Sequence, residues 1–197
     1  MKILNVLALV LAFALPAQAQ EADPKTVVKA VADKVLSEIL QNKEKLDQGP
    51  EFLLGLVETH MLPIIDQERM AKMALKGHWK SISKEQQQNF IEGFKRLMIK
   101  TYAGAFKAYT GQKVSYSDTR FNKSGSKAIV SSAIHMAGGS LVNLQYRLYQ
   151  KNPGDWKVYD ANLAGLGVLK TYRVQFNEQI QKDGIQKTIE QLLAVQL

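Results

Sequence analysis

Chemistry needs few residue types, and this chain offers few of them in useful spacing. Its histidines are His60, His78 and His135. None has a second ligand at helical i, i+4 spacing, and no H-E-x-x-H run occurs, so no metal site is expected. His60 falls on an expected helix and His135 on an expected strand, so both read as ordinary structural histidines. There is no cysteine, which removes disulfides, thiolate zinc and thiol catalysis. Ser140 follows a Gly138-Gly139 turn instead of the strand-to-helix elbow of a G-x-S-x-G hydrolase. Gly165 and Gly167 form a G-x-G pair without the third glycine or the lysine of a phosphate loop. Two carboxylates stand out. Asp66 follows Ile64-Ile65 at a helix start, where capping accounts for it. Asp160 ends an alternating run on the face of Trp156 and Val158, and reads as an acceptor for amides of the glycine-rich turn after it. The alternative is a small-molecule cavity enzyme using Asp160 or a histidine as general base. No catalytic residue, metal or cofactor is expected.

The apolar side chains say more. Phe94, Met98, Tyr102, Phe106 and Tyr109 recur along one long helical segment. Periodicity alone makes such a stripe core. Three features point to a cavity lining: aromatics and methionine stand where leucine and isoleucine usually pack, Gly104, Ala105 and Ala108 lie among them, and two tyrosine hydroxyls need partners if buried. Val142, Leu144 and Tyr146 share one face of an expected strand, and Trp156 and Val158 alternate in the next. With Ala105, these residues are the expected lining of an apolar cavity.

Around them the elements read clearly. Asp23-Pro24 has the form of an N-cap followed by proline at the first helical position. Val27, Val31, Val35 and Ile39 carry a helix from there to about Gly49-Pro50. A second helix runs from Phe52 to Leu62, stopped by Pro63, and a third follows Asp66 to Gly77. Ser83 with Gln86 forms a capping-box pattern ahead of the long helix, which Gly111 ends. The period then changes to two: Val114 to Ser117, Ala128 to Ala137, the strand after the Gly138-Gly139 hairpin, and a fourth strand after Asn152-Pro153-Gly154-Asp155. Helical spacing returns from Leu169, with a break at Gly184. The expected fold is α+β, with N- and C-terminal helices packed on a curved antiparallel sheet of about four strands enclosing the cavity.

Residues 1–19 read as a cleaved signal peptide: Lys2, an apolar run from Ile3 to Leu15, Pro16, and Ala17-Gln18-Ala19 before the cut. The run is shorter than the roughly 20 residues a spanning helix needs. Residues 20–197 then form one exported domain, a size that buries a core without staples. The chain carries a net charge of +8, which favours anionic partners. Export excludes nucleic acid, and scattered lysines fit a solvated basic surface equally well.

Taken in order, Leu62-Pro63-x-x-Asp66, Met70-Ala71, Gly77-x-Trp79, Gln86-x-x-x-Phe90, Thr101-Tyr102, Tyr109-x-Gly111, Trp156-x-Val158-Tyr159-Asp160, Gly165 and Tyr172-Arg173-x-x-Phe176 resemble the MlaC (toluene-tolerance) family. The resemblance spans about residues 25 to 195. It implies a periplasmic, monomeric, non-enzymatic carrier whose cargo is phospholipid. The implied partners are an inner-membrane ABC transporter with an MCE-domain subunit and an outer-membrane lipoprotein–porin complex, the system that maintains outer-membrane lipid asymmetry. One departure stands out: the family often has Glu-Gly-x-Ser after the aspartate, where this chain has Ala164-Gly165-Leu166-Gly167. A carboxylate and a hydroxyl are lost there.

Overall fold

Asp23 accepts a hydrogen bond from the Thr26 N–H at 3.1 Å, and Pro24 takes the first helical position, which together start α1 (Pro24–Gln41). The structure, a computed structural model, describes residues 23–197, so the expected signal peptide lies outside it. The first helix does not run unbroken to Gly49. Asn42 leaves helical geometry at φ −134° and its side-chain amide donates to the Glu38 carbonyl at 3.0 Å. Such local side-chain bonds compete with the helical ladder. A short α2 (Lys43–Gln48) follows. Helix α3 (Glu51–Leu56) passes into a π-helical turn (Val57–Met61) and a 3-10 turn around Pro63 (Leu62–Ile64). Asp66 then caps α4 (Gln67–Leu75), accepting from the Arg69 N–H at 2.9 Å.

The capping box forms as its residues suggest: Ser83 Oγ accepts from the Gln86 N–H, and Gln86 Oε1 from the Ser83 N–H. It opens α5 (Lys84–Lys107), whose 24 residues span about 36 Å. The chain then crosses to a six-stranded antiparallel sheet: β1 (Val114–Tyr116), β2 (Arg120–Phe121), β3 (Lys127–His135), β4 (Leu141–Asn152), β5 (Asp155–Leu163) and β6 (Leu166–Gly167). The order is β1-β3-β4-β5-β6, with β2 also on β3. The two strands beyond the expected four are β2 and β6, whose two residues each are too short to leave an alternating pattern. Helices α6 (Val168–Asp183) and α7 (Ile185–Leu193), separated by Gly184 at φ +81°, complete the fold.

Three apolar clusters hold these layers. One joins α4, α5, α6 and α7 around Phe90, Phe94, Tyr172 and Phe176, whose edge-to-face rings lie 5.1–5.3 Å apart, a favourable aromatic geometry. A second gathers Val35, Ile39, Leu53, Leu56 and Ile99 between α1, α3 and α5. The third packs Val28 of α1 onto Ala128, Val130, Leu148, Trp156 and Val158 of the sheet.

Candidate functional site

Cross-strand partners share a face of the sheet, so the register places each strand residue. Val130 pairs with Tyr146, Ser132 with Leu144 and Ile134 with Val142; Leu144 then pairs with Leu163 and Tyr146 with Ala161. Leu148, paired with Ala128 and Val158, continues the same inner face. That face is covered unevenly. At the Leu148 end, Ala128, Val130, Trp156 and Val158 are buried under α1. At the other end Ile134, Val142, Leu144 and Leu163 are only half-buried, and none belongs to any of the three clusters. Contiguous aliphatic surface left half-wet costs free energy in proportion to its area, at about 25 cal/mol per Å².

Between the two ends stand tyrosines. Burial pushes the Tyr146 phenol up, with the Ser132 hydroxyl working against it. Burial also pushes up Tyr116, helped by the nearby Tyr146, Asp33 and Tyr109. These hydroxyls stay protonated at any physiological pH and offer neutral hydrogen bonds within an apolar wall.

The stripe on α5 does not stay together. Phe94 is fully packed in the first cluster, with Met98 and Tyr102 against it, while Phe106 and Tyr109 pack on the second. A step of four residues overshoots a full turn by about 40°, so twelve residues from Phe94 bring Phe106 about 120° round the helix. Ala105 and Gly104 are exposed, and a Cβ at Gly104 would meet nothing within 4 Å. Trp156 and Val158 lie on the inner face as expected, but in its closed part. Val142, Leu144 and Tyr146 lie in or beside the uncovered part. Ile134 and Leu163, absent from the sequence reading, complete it; β-alternation opposite Val142 could have revealed the first.

Asp160 differs from its sequence reading. Leu148 pairs with Val158 but Arg147 with Asp160, so Tyr159 is an extra residue in a β-bulge. The bulge turns Asp160 to the face opposite Val158, beside Arg147 at 3.6 Å. Its Oδ1 accepts from the Ala161 N–H at 2.8 Å and the Leu169 N–H at 3.4 Å. Leu169 lies in the first turn of α6, whose N-cap is Gly167, a residue without a capping side chain. Asp160 therefore serves from a strand as the cap that position 167 lacks. Ala164, at φ +50°, opens the tight β5–β6 turn with Gly165 at φ +87°, a positive-φ pair that asparagine-glycine adopts more easily.

Asp66, besides capping α4, accepts from the Tyr149 hydroxyl, and Arg69 stacks on the rings of Tyr149 and Tyr159 at 4.0 and 4.8 Å. The histidines are dispersed: His60 faces Glu38 at 3.0 Å, His78 faces Asn177 at 3.3 Å and His135 faces Ser115 at 2.8 Å. Among the described residues no group of three His, Cys, Asp or Glu could hold a metal, and no helix is long and apolar enough to cross a membrane. Two surface concavities of about 350 and 360 Å³ involve Asp66, Glu92 and Lys157 in one case and Ser131, Asn143 and Asn162 in the other. Neither includes the α5 stripe.

Residues 29–194 match the family described as MlaC protein. The chain belongs to the MlaC family. It is 29% identical over 174 residues to the intermembrane phospholipid transport system binding protein MlaC of Haemophilus influenzae, covering 87% of this chain and 81% of that protein. It is 27% identical over 189 residues to the toluene tolerance protein ttg2D of Pseudomonas putida, covering 94% and 86%. The phospholipid-binding protein from Ralstonia solanacearum, solved in complex with a phospholipid, superposes with a TM-score of 0.80 at 34% identity, over 87% of this chain and 95% of that one. The helices-on-sheet arrangement is thus the MlaC-like fold, with an antiparallel sheet of six strands.

Proposed function

We propose that this MlaC-family protein is a phospholipid carrier of the periplasm that buries acyl chains against the uncovered inner face of its sheet. The observation that carries the reading is the Ralstonia solanacearum structure, whose protein holds a phospholipid in this same fold at 34% identity. The half-buried patch of Ile134, Val142, Leu144 and Leu163 is the surface on which acyl chains lie, with Tyr146 at its inner limit. Trp156 and Val158 continue the same face in its closed part, and Phe94, Met98, Tyr102, Phe106 and Tyr109 hold the helical clusters beside it.

The physics of the task explains why such a protein needs apolar area instead of a reactive group. Two sixteen-carbon chains carry roughly thirty CH₂ groups, and at about 0.8 kcal/mol each their exposure to water costs on the order of 24 kcal/mol. A cavity of matched apolar area makes the exchange with a bilayer nearly neutral. The signal-peptide pattern of residues 1–19 supports export, and family membership supports an inner-membrane ABC transporter with an MCE-domain subunit and an outer-membrane lipoprotein–porin complex as the two partners between which lipid is carried. The reading is tested by exporting the full chain, purifying it without added ligand and weighing it by native mass spectrometry. Phospholipid mass on the folded protein is the expected result. A uniformly ligand-free protein refutes the proposal.

A further inference from the structure

The described residues leave few large apolar side chains exposed, and three of them gather at one edge of the sheet. Met136 and Leu141 flank the Gly138-Gly139 hairpin between β3 and β4, and Leu166 follows the Ala164-Gly165 turn between β5 and β6; they are 37%, 51% and 70% exposed. The register puts both turns at one end. Leu163, which pairs with Leu166, also pairs with Leu144, and the Ala164 N–H donates to the Asn143 carbonyl at 2.8 Å. Leu141 lies three residues further along β4, about 10 Å at the usual strand rise. This is the end at which Ile134, Val142, Leu144 and Leu163 are left uncovered.

Asp160, which reaches the first turn of α6, is paired with Arg147 at 3.6 Å, and the strands and turns beyond it carry no carboxylate. No aspartate or glutamate occurs from Thr119 to Gly154 or from Ala161 to Asn177. Lys113, whose carbonyl accepts from the His135 N–H at 2.9 Å, and Lys170, in the first turn of α6, both lie at this end. Neither forms an ion pair among the described residues. Aliphatic side chains at the tips of two projecting turns that carry no carboxylate, flanked by unpaired lysines, match the interfacial layer of an anionic bilayer. A protein-docking surface would instead be expected to centre on tryptophan, tyrosine or arginine anchors in a packed patch.

We propose that this edge seats the protein directly on an anionic membrane surface, with Met136, Leu141 and Leu166 entering the headgroup layer and Lys113 and Lys170 contacting lipid phosphates. The proposal rests on the carrier reading for its purpose, since it brings the open end of the sheet, where the half-buried inner patch lies, to the bilayer, but its test does not depend on carriage. Flotation with vesicles of phosphatidylethanolamine and phosphatidylglycerol, against vesicles of phosphatidylcholine alone, measures seating. The protein should float with the anionic vesicles, and less so as salt rises. The double variant Leu141→Ser/Leu166→Ser should bind at least tenfold more weakly. Lys113→Gln/Lys170→Gln should weaken binding and flatten its salt dependence.

All four positions are exposed, so the variants should keep the wild-type melting temperature, and solvent extraction of co-purified lipid reports separately on the carrier reading. In the Leu166→Trp variant, brominated lipid should quench the new indole, while the native Trp79 and Trp156, 5% and 4% exposed, stay shielded. No flotation with anionic vesicles, wild-type flotation by the leucine variant, or an unquenched indole in Leu166→Trp would each overturn the proposal. Wild-type flotation by the leucine variant combined with its lost capture by a membrane-embedded protein complex would assign the edge to protein docking and overturn it as well.

Discussion

Gly93 and Gly104 lie in the same helix, and changing each to alanine should move stability in opposite directions. At Gly93 the structure brings α7 against α5 so closely that an added Cβ would stand 2.6 Å from Leu192 Cβ, 3.0 Å from the Leu192 carbonyl carbon and 3.2 Å from the Leu193 nitrogen. Carbon atoms pack best at about 3.5–4.0 Å. Two of the three obstacles are backbone, so no rotamer change removes the clash and α7 must shift by close to an ångström. Overpacking of this kind costs about 1–3 kcal/mol. Alanine recovers about 1 kcal/mol of helix propensity, so the net loss should reach about 2 kcal/mol. At Gly104 nothing lies within 4 Å, and the same substitution should gain up to about 1 kcal/mol, less for its nearness to the helix end. For a chain of this size each kcal/mol moves the melting temperature by about 2–4 °C. Urea unfolding with unchanged m-values would read both signs directly. A Gly93→Ala protein as stable as the wild type would refute the close α5–α7 crossing.

Two further outcomes bear on the site. Asp160→Asn keeps an acceptor for the Leu169 N–H but loses the charge at the α6 N-terminus and beside Arg147, and should cost about 1 kcal/mol while lipid transfer between labelled vesicles continues. Adding Gly167→Ser should recover part of the loss by supplying the missing cap, and a transfer defect at wild-type stability would show that Asp160 touches cargo or a partner. Leu144→Trp, on the uncovered face, should lower co-purified phospholipid with a stability change within about 0.5 kcal/mol. Unchanged lipid content would place the acyl chains elsewhere.

How much of this was legible in the sequence depended on the range of the interaction involved. Asp23-Pro24, Asp66 and the Ser83–Gln86 box act within four residues of themselves, and the helix starts they signalled are the ones observed. The hairpins at Gly138-Gly139 and Pro153-Gly154, and the break at Gly184, are likewise local consequences of backbone freedom. The order of motifs was enough for the family, because it samples contacts along the whole chain at once.

Tertiary structure decided what alternation and periodicity cannot encode. The bulge at Tyr159 shifts parity by one residue, and since side chains alternate with a period of two, that single insertion moves Asp160 from the inner face to the outer one. No count along the strand reveals it, because the extra residue exists only relative to β4. The α5 stripe divides between two clusters for a related reason: a helix presents all its faces, and which of them is core depends on where α3, α6 and α7 arrive. The sequence by itself determined the main helix starts, the four longer strands, the charge and the family. Only packing decided which apolar surface stays half-buried, because burial depends on the elements that arrive from elsewhere in the chain, and the patch of Ile134, Val142, Leu144 and Leu163 lies outside all three clusters.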